Sequence, residues 1–590
     1  MMRSMLSLLL CVIGAAHATL PATGSGALDP GFGNGGLQVQ DLDTGYDYGN
    51  RIAATADGKY MVFGYSQVGS VLSRVTANGR PDPTFNGSGR RLLRGSGSEY
   101  LNIYAGATLA DGKILAAGYY YVDNTLNYAY LTRLNADGSA DTGWGNGGEV
   151  RINSASMPYA SLRGVAVAPD GSIVVVGSEA TSGDAPYAGL LMRLTPAGQV
   201  DPSFGSNGRA PMPAGFAMLN LRSLSIAATG EILVAGYGRQ GAATRNEAVV
   251  LRFNADGTPD RGFAAAGTYV YSEPGRIEEF HSVAPAPDGG VIAVGNDYAG
   301  SESAGLVVKL GPAGLADPGF NGNGVLKLHV AGSPSTMLRG IAVAGGGKFV
   351  VAGIQLGPQD FQCALVRLLP NGMPDTGFGS NGVSTAWDQE RCIVNDVIVD
   401  PDDKIIVAGN YRTVAGNTLD ATMVARVLGT EITTTVAEFY NGTLDHYFIT
   451  ADPAEAAAID SGAAGPGWGR TGQTFKSGGP NRVCRFYGSP GINPATGLRR
   501  GPNSHFYTID SGECGAVKGD AGWHFESYDF NGWPLANGVC PAGTQPVRRL
   551  YNGRYAQNDS NHRYVTTDAL YTQMTAQGWS GEGTVFCAAQ

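Results

Sequence analysis

The chain is poor in charge, in histidine and in long apolar runs. Only 15% of its 590 residues are Asp, Glu, Lys or Arg, and acids outnumber bases to give a formal charge of −10. That sign argues against nucleic acid or an anionic membrane surface as the main partner, because both reward a basic face. Beyond the N-terminus no segment approaches the ~20 apolar residues of a membrane-spanning helix, so no span is expected. The chain also lacks His-Glu-x-x-His, Gly-x-Ser-x-Gly and a phosphate-binding loop in a context that would support one. A carboxylate pair for glycoside hydrolysis is defined in space and not by spacing, so that enzymatic route stays open.

Cysteine is scarce too, and its placement is informative. Residues 1–18 combine Arg3, an apolar run over 6–16 and Ala16-His17-Ala18, the pattern of a cleaved secretory signal peptide. Its removal takes Cys11 and leaves Cys363, Cys392, Cys484, Cys514, Cys540 and Cys587. An even set in an exported chain favours disulfides over metal ligation. Cys363 and Cys392 stand alone in their region and are expected to pair. The other four leave three connectivities open. The expected location is outside the cell or on its surface, as a monomer.

Glycine, by contrast, is abundant: 89 residues, about twice the usual ~7%. Much of it belongs to one stretch, Leu28-Asp29-Pro30-Gly31-Phe32-Gly33-Asn34-Gly35-Gly36, which recurs with variations seven times. Its aspartates are Asp29, Asp82, Asp141, Asp201, Asp260, Asp317 and Asp375, at steps of 53, 59, 60, 59, 57 and 58 residues, the mark of a repeat architecture. Each repeat also carries two apolar runs split by a two-residue turn such as Asp170-Gly171, a hairpin signal, and a strand with one basic residue. Four strands per repeat, seven times over, predict a mainly β fold with a seven-bladed β-propeller over 19–430. An open solenoid is the rival.

Closure is favoured by the basic residues Arg74, Arg133, Arg193, Arg252, Lys309, Arg367 and Arg426. The first six precede a repeat aspartate by eight residues, whereas Arg426 has none after it and Asp29 no arginine before it. A closed ring brings these two together and adds the strand around Leu37 to the last blade, beside residues 423–427.

These residues resemble the delta-60 repeat family of bacterial secreted and surface proteins, whose pattern reads roughly R-L-N-x-D-G-x-x-D-x-x-F-G-x-x-G and later P-D-G-K-I-x-x-x-G. The resemblance implies a propeller-like scaffold and supplies no catalytic residues. Turns such as Asp317-Pro-Gly-Phe320-Asn-Gly-Asn-Gly324 offer oxygens that could hold Ca²⁺. The favoured reading is that Asp and Gly serve turn geometry there, so no cofactor is expected.

After a threonine-rich linker the composition shifts, over 431–590, to aromatics, histidine and cysteine. Three copies open at Glu438-Phe-Tyr440, Arg485-Phe-Tyr487 and Arg549-Leu-Tyr551, and continue through His446-Tyr447, His505-Phe-Tyr507 and His562-Arg-Tyr564. Each then reaches a Thr-x-Asp helix start and a Gly-Trp followed by phenylalanine: Trp468 with Phe475, Trp523 with Phe530, Trp579 with Phe586. The prediction is a smaller pseudo-threefold, trefoil-like β-rich domain with short helices. The signature resembles a repeat family of unknown function, with a Y-N…H-F-Y-T…G-W pattern, found on secreted bacterial proteins that include polysaccharide hydrolases. By association this implies attachment or carbohydrate binding. Aromatic faces beside polar groups suit sugars, and the candidates are Tyr440, His446, Tyr447, Tyr487, His505, Tyr507, Tyr551, His562 and Tyr564; the same residues would equally serve as each copy's own core. The leading reading is an exported, non-enzymatic binding protein whose partner is a glycan, a cell-surface polymer or a protein. A polysaccharide hydrolase or lyase using a propeller face is the alternative.

Overall fold

The computed structural model describes residues 25–40, 47–95, 99–123, 126–300, 302–357, 361–384, 391–412, 421–429, 434–479, 481–488, 504–520, 522–535, 538–541, 544–554, 557 and 559–589. The predicted signal peptide, the first two residues of the linker and nearly all of the insertion between Tyr487 and His505 lie outside them. The chain divides into two compact units, Gly31–Gly429 and Thr430–Gln590, the second grouped with Met1–Pro30.

The first unit is made of antiparallel meanders. Asp47–Ala54, Tyr60–Ser66, Gly69–Val75 and Arg90–Leu93 form one sheet in chain order, and the sets starting at Phe216–Ile226 and Ile277–Pro285 repeat it. The meanders starting at Tyr100–Thr108 and Tyr159–Val167 touch through one parallel bridge, Tyr159 to Asn127. In the sheet of Arg391–Val399, Ile405–Arg412 and Ala421–Val427 the outer strand comes from the other end of the unit: Leu37–Gln40 pairs antiparallel with Ala421–Val427, Leu37 opposite Ala425.

The hairpin turns hold one more residue than the sequence suggests. Ala168 and Ser172 still pair, and the Gly171 amide donates to the Ala168 carbonyl, so the turn is Pro169-Asp170-Gly171. Gly171, at φ 81°, takes the left-handed position that ends a three-residue hairpin loop. The Asp170 carboxylate accepts the Ser172 amide at 2.9 Å, which explains the aspartate.

The long motif is a clamp between neighbouring repeats. Arg74–Asp82 closes at 2.7 Å, Arg133–Asp141, Arg193–Asp201 and Arg367–Asp375 at 2.8 Å and Arg252–Asp260 at 2.7 Å, with Lys309 on Asp317. The same arginines reach onward: Arg193 Nη1 donates to the Ala255 carbonyl at 2.7 Å, and Arg133 Nη1 to that of Pro196 at 2.9 Å. Arg426 acts likewise toward the start of the unit, donating to the Ala77 carbonyl at 2.5 Å and lying 4.8 Å from the Phe32 ring centre. The motif aromatics Phe32, Phe85, Trp144, Phe204, Phe263, Phe320 and Phe378 are all fully buried. Each of the first six lies under a glycine of the following repeat; a Cβ on Gly198 would sit 2.7 Å from the Trp144 ring. Asp317, the calcium candidate, has one oxygen on the Gly319 amide at 2.8 Å and the other on Lys309.

The second unit contains three strand–strand–helix–strand runs. Thr435–Asn441, His446–Thr450, Pro453–Asp460 and Trp468–Lys476 make the first, Asn481–Gly488 to Trp523–Gly532 the second, and Thr544–Tyr551 to Ser580–Ala589 the third. Their phenylalanines Phe475, Phe530 and Phe586 meet in one core, with ring centres 5.7, 5.8 and 6.2 Å apart. Asp452 and Asp510 cap the first two helices through backbone amides, but the third is capped at Thr567 with no side-chain bond, leaving Asp568 as the first helical residue. Three disulfides form: Cys363–Cys392, as expected, and Cys484–Cys514 and Cys540–Cys587, which settle the connectivity. Three disulfides fit an extracellular protein. Among the described residues no helix is long and apolar enough to cross a membrane.

Candidate functional site

The innermost strand of every meander is interrupted at its middle by a β-bulge, which leaves one residue without a cross-strand partner. These residues are Asn50, Tyr104, Arg163, Arg222, His281, Arg339 and Asn395. A bulge re-aims its side chain, and here all seven residues line one cavity of about 270 Å³, joined by Arg51, Asn296, Tyr298 and Met337. The bulges have a steric cause in the facing strand. A Cβ on Gly64, Gly118, Gly177, Gly236, Gly295, Gly353 or Gly409 would fall within 2.1 Å of a carbonyl oxygen of the bulged strand. Only glycine fits under a backbone brought that close.

The cavity is cationic. Four arginines line it, while no Asp or Glu does. Arg51 pairs with Asp396 at 3.1 Å, and Arg222 stands 4.0 Å from Glu279. Among the described residues Arg163 and Arg339 make no ion pair: the Arg163 guanidinium lies 3.8 Å from the Tyr104 ring centre and Arg339 donates to the Asn395 side chain. Burial, reinforced by Arg222, Arg339 and Arg51, holds the His281 imidazole well below its usual pKa and therefore neutral. Burial likewise lowers the Arg339 pKa and raises those of Tyr104 and Tyr298. Asn296 bridges His281 at 3.0 Å and the Tyr298 hydroxyl at 2.9 Å. Unpaired guanidinium groups with neutral donors around them are suited to a carboxylate, sulfate or phosphate, which arginine can grip with two parallel bonds.

None of these residues was singled out from sequence. Yet they recur at the repeat period, and the signal lay in the last glycine of the hairpin motif, Gly177 in its clearest copy, which is where the backbone must approach.

The nine residues expected to bind ligand in the C-terminal unit fall into two groups. Tyr507 and Tyr564 are core: the Tyr564 hydroxyl accepts the Tyr507 amide and donates to its carbonyl, both at 2.8 Å. His446 and His505 are buried as well, His446 on Asp559 at 2.9 Å and His505 on Glu526 at 3.3 Å. Tyr440, Tyr447, Tyr487, Tyr551 and His562 are partly buried.

Strand register also changes which residues correspond. Tyr447, His505 and His562 stand opposite Tyr440, Tyr487 and Tyr551, with ring centres 4.7, 5.0 and 5.1 Å apart. His446 is therefore one place out of step with the other two histidines. The next residue in each copy touches the following copy: Phe448 lies 4.6 Å from His505, Phe506 5.0 Å from His562, and the Arg563 guanidinium 4.2 Å from the Tyr447 ring.

One junction has exchanged its charges. Arg485 sits between Glu455 and Glu526 at 2.7 and 3.0 Å and 5.6 Å from the Phe448 ring. Arg549 sits likewise between Glu513 and Glu582, 4.7 Å from the Phe506 ring. In the remaining copy the strand residue is Glu438, and it binds Arg563 at 2.7 Å where the other two junctions place a phenylalanine. Thr471 then replaces the strand glutamate and donates to Glu438 at 2.6 Å. Leu570 replaces the helix glutamate.

Two family models match parts of the sequence. The first describes DUF5122, a beta-propeller. That model, a domain of unknown function, matches residues 55–85, 109–143, 168–204 and 227–263. A second domain of unknown function, DUF5648, matches 498–590. No curated protein matches the chain. Among solved structures, an ulvan lyase described as a new family of polysaccharide lyase is 11% identical at a TM-score of 0.41, covering 70% of this chain and 96% of that one. The PQQ-bound aldose sugar dehydrogenase of Streptomyces coelicolor is 14% identical at 0.33, covering 69% and 97%. An α-L-arabinofuranosidase of Fusarium graminearum is 14% identical at 0.34, covering 55% and 92%. Likenesses this remote carry no activity across.

Proposed function

We propose that this is an exported glycan-binding protein: a closed seven-bladed propeller that takes the acidic group of a sugar in its bulge-lined cavity, followed by a pseudo-threefold, trefoil-like unit. The observation that carries the reading is the convergence of seven bulge residues on one cavity holding four arginines and no lining carboxylate. In a chain of net charge −10 such a concentration of cations is not a compositional accident. Two half-buried arginines without an acid partner are costly to hold together unless an anion completes the site. Of the C-terminal candidates, Tyr440, Tyr447, Tyr487, Tyr551 and His562 are partly exposed and able to meet a ligand.

Titration calorimetry of the whole protein with glucuronate, a sulfated monosaccharide and inorganic phosphate, against glucose, tests the reading. Binding of an acidic sugar that is lost in Arg339→Gln and absent for glucose supports it. Binding of phosphate alone would replace the sugar by a phosphorylated ligand, and binding of no anion would sink it.

The same cavity favours one enzymatic alternative. A neutral His281 beside guanidinium groups has the parts for eliminative cleavage of a uronic-acid polymer. Arginine neutralises the carboxylate, the imidazole takes the C5 proton, the C4–O bond breaks with its electron pair, and the departing oxygen is protonated, leaving a C4–C5 double bond. Hydrolysis by paired carboxylates has no such support, because none line the cavity. Ultraviolet absorbance of a new C4–C5 double bond on incubation with polyuronates, lost in His281→Ala, would establish the lyase, on the general rule that a general base must reach the proton it takes.

A further inference from the structure

A second cavity of about 270 Å³ opens beside the first and shares Tyr104 and Arg163 with it. Its walls carry five further tyrosines, Tyr100, Tyr119, Tyr121, Tyr159 and Tyr187, from two successive meanders. The rings are arranged in layers. Tyr100 stacks on Tyr121 at 4.5 Å and Tyr104 on Tyr119 at 5.8 Å, with interplanar angles of 22° and 23°. The Tyr119 hydroxyl accepts a hydrogen bond from Asn102 at 2.7 Å, which fixes that ring. Tyr100 and Tyr187 are 44% and 41% exposed, the two tyrosines among the exposed large hydrophobic side chains of the described residues.

Periodicity separates scaffold from site. The clamp aromatics recur in all seven repeats and are fully buried. The cleft tyrosines recur only in part: the place four residues before each bulge is Tyr46, Tyr100 and Tyr159 in the first three repeats but Met218, Ile277, Ser335 and Arg391 in the other four, and Tyr119 has counterparts only in Tyr65 and Tyr237. A packing role demanded by the fold would be met in every repeat. A role confined to one sector points to something that lies in that sector.

We infer that this tyrosine cleft is the elongation subsite of the bulge-lined cavity: it stacks the neutral pyranose rings of the chain whose acidic residue the arginines hold, which makes the ligand an oligosaccharide or polysaccharide. Flat apolar ring faces with hydroxyls at the edge match pyranose stacking. Ser161, Ser178 and Asn127 on the walls supply hydrogen bonds for orientation. Arg163, common to both cavities, sits where the acidic residue joins the neutral ones. The inference rests on the reading of the first cavity as an acid-sugar site.

The test compares glucuronate with alternating glucuronate–N-acetylglucosamine oligosaccharides of two to eight residues on the full chain. Affinity should rise about tenfold or more between monosaccharide and tetrasaccharide, the gain typical of added anchor contacts. Tyr100→Ala and Tyr187→Ala, both at exposed positions that leave the fold intact, should abolish that gain and leave glucuronate binding unchanged. Arg339→Gln should weaken every ligand alike. Affinity that does not grow with length, or grows equally in both tyrosine variants, overturns the elongation subsite while the acid-sugar cavity stands. Neutral oligosaccharides that bind through the tyrosines without any response to Arg339→Gln would overturn the acid-sugar cavity, and with it the cleft's role as an extension of that cavity. No binding by any of the series overturns both.

Discussion

Replacing Glu438 by arginine should unfold the C-terminal unit more readily than any other single charge change in it. Glu438 and Arg563 have side chains only 3% and 9% exposed and meet through two short bonds, 2.7 and 2.9 Å. Removing one member of such a pair costs about 3–5 kcal/mol, because the other charge stays buried without a partner. Arginine adds repulsion between two cations, so Glu438→Arg should reach at least the upper end, ~5 kcal/mol. The other junctions show the remedy. Arg549 is held by Glu582 and packs on Phe506, and Thr471 and Arg563 occupy the corresponding places around Glu438. Glu438→Arg with Arg563→Phe and Thr471→Glu should therefore recover most of the loss, although each change alone destabilises. Guanidinium unfolding followed by tryptophan fluorescence reads this unit, which holds Trp468, Trp523, Trp533 and Trp579, four of the six tryptophans. A loss below ~1 kcal/mol for Glu438→Arg, the size of an exposed pair, would refute the argument, as would a triple variant no more stable than the single one.

Three further outcomes are expected. Gly177→Ala places a Cβ 1.9 Å from the Ser161 carbonyl oxygen, so it should lower the melting temperature and disturb Arg163, with a cost of about 1–3 kcal/mol or more from overpacking; unchanged stability would mean the bulge does not depend on the glycine. Arg339→Gln removes one of the cations facing His281, and a bound anion offsets them, so both should raise the His281 pKa in an NMR titration; a fall in either case contradicts a cationic cavity. Burial, against the pull of Arg485 at 3.1 Å and with Glu455 and Glu526 beside it, pushes the Asp529 carboxyl up to about 7 from 3.8, so the folded state holds that proton more tightly than the unfolded one. Its contribution is full below pH 3.8 and is lost as pH rises toward 7. Asp529→Asn should flatten the stability profile over that window in denaturant titrations at several pH values, and an unaltered slope would count against it.

Much of the first unit could be read directly because its determinants are local and repeated. Arginine and aspartate eight residues apart, turn glycines and alternating strands each state their purpose within one repeat, and the lone pair Cys363 and Cys392 left one partner each. The cavity was not legible for the opposite reason. Its residues vary from Asn to Tyr to Arg to His, so no motif joins them, and what unites them is a backbone offset that only strand register reveals. Register likewise decides the C-terminal unit. His562 is as far from Thr566 as His446 is from Thr450, yet it stands opposite its tyrosine as His505 does, so motif spacing does not place the histidine and only the pairing does. The helix caps show the same limit: all three copies offer Thr-x-Asp, and Asp568 is the one aspartate of the three that does not cap.

The pairing of Leu37–Gln40 with Ala421–Val427 bears on how the protein is made. A chain synthesised from its N-terminus carries this strand through the making of nearly all of the first unit with nothing to join. Its partner is the last strand of the unit to emerge, so the unit cannot be sealed while it is being produced. Long-range pairing of this kind is intrinsically slow, and until it happens two strand edges lie open to other chains. Any cut or truncation that removes one end exposes the same edges permanently. The first and last strands therefore act together as a checkpoint of completeness: only an intact chain can hide them.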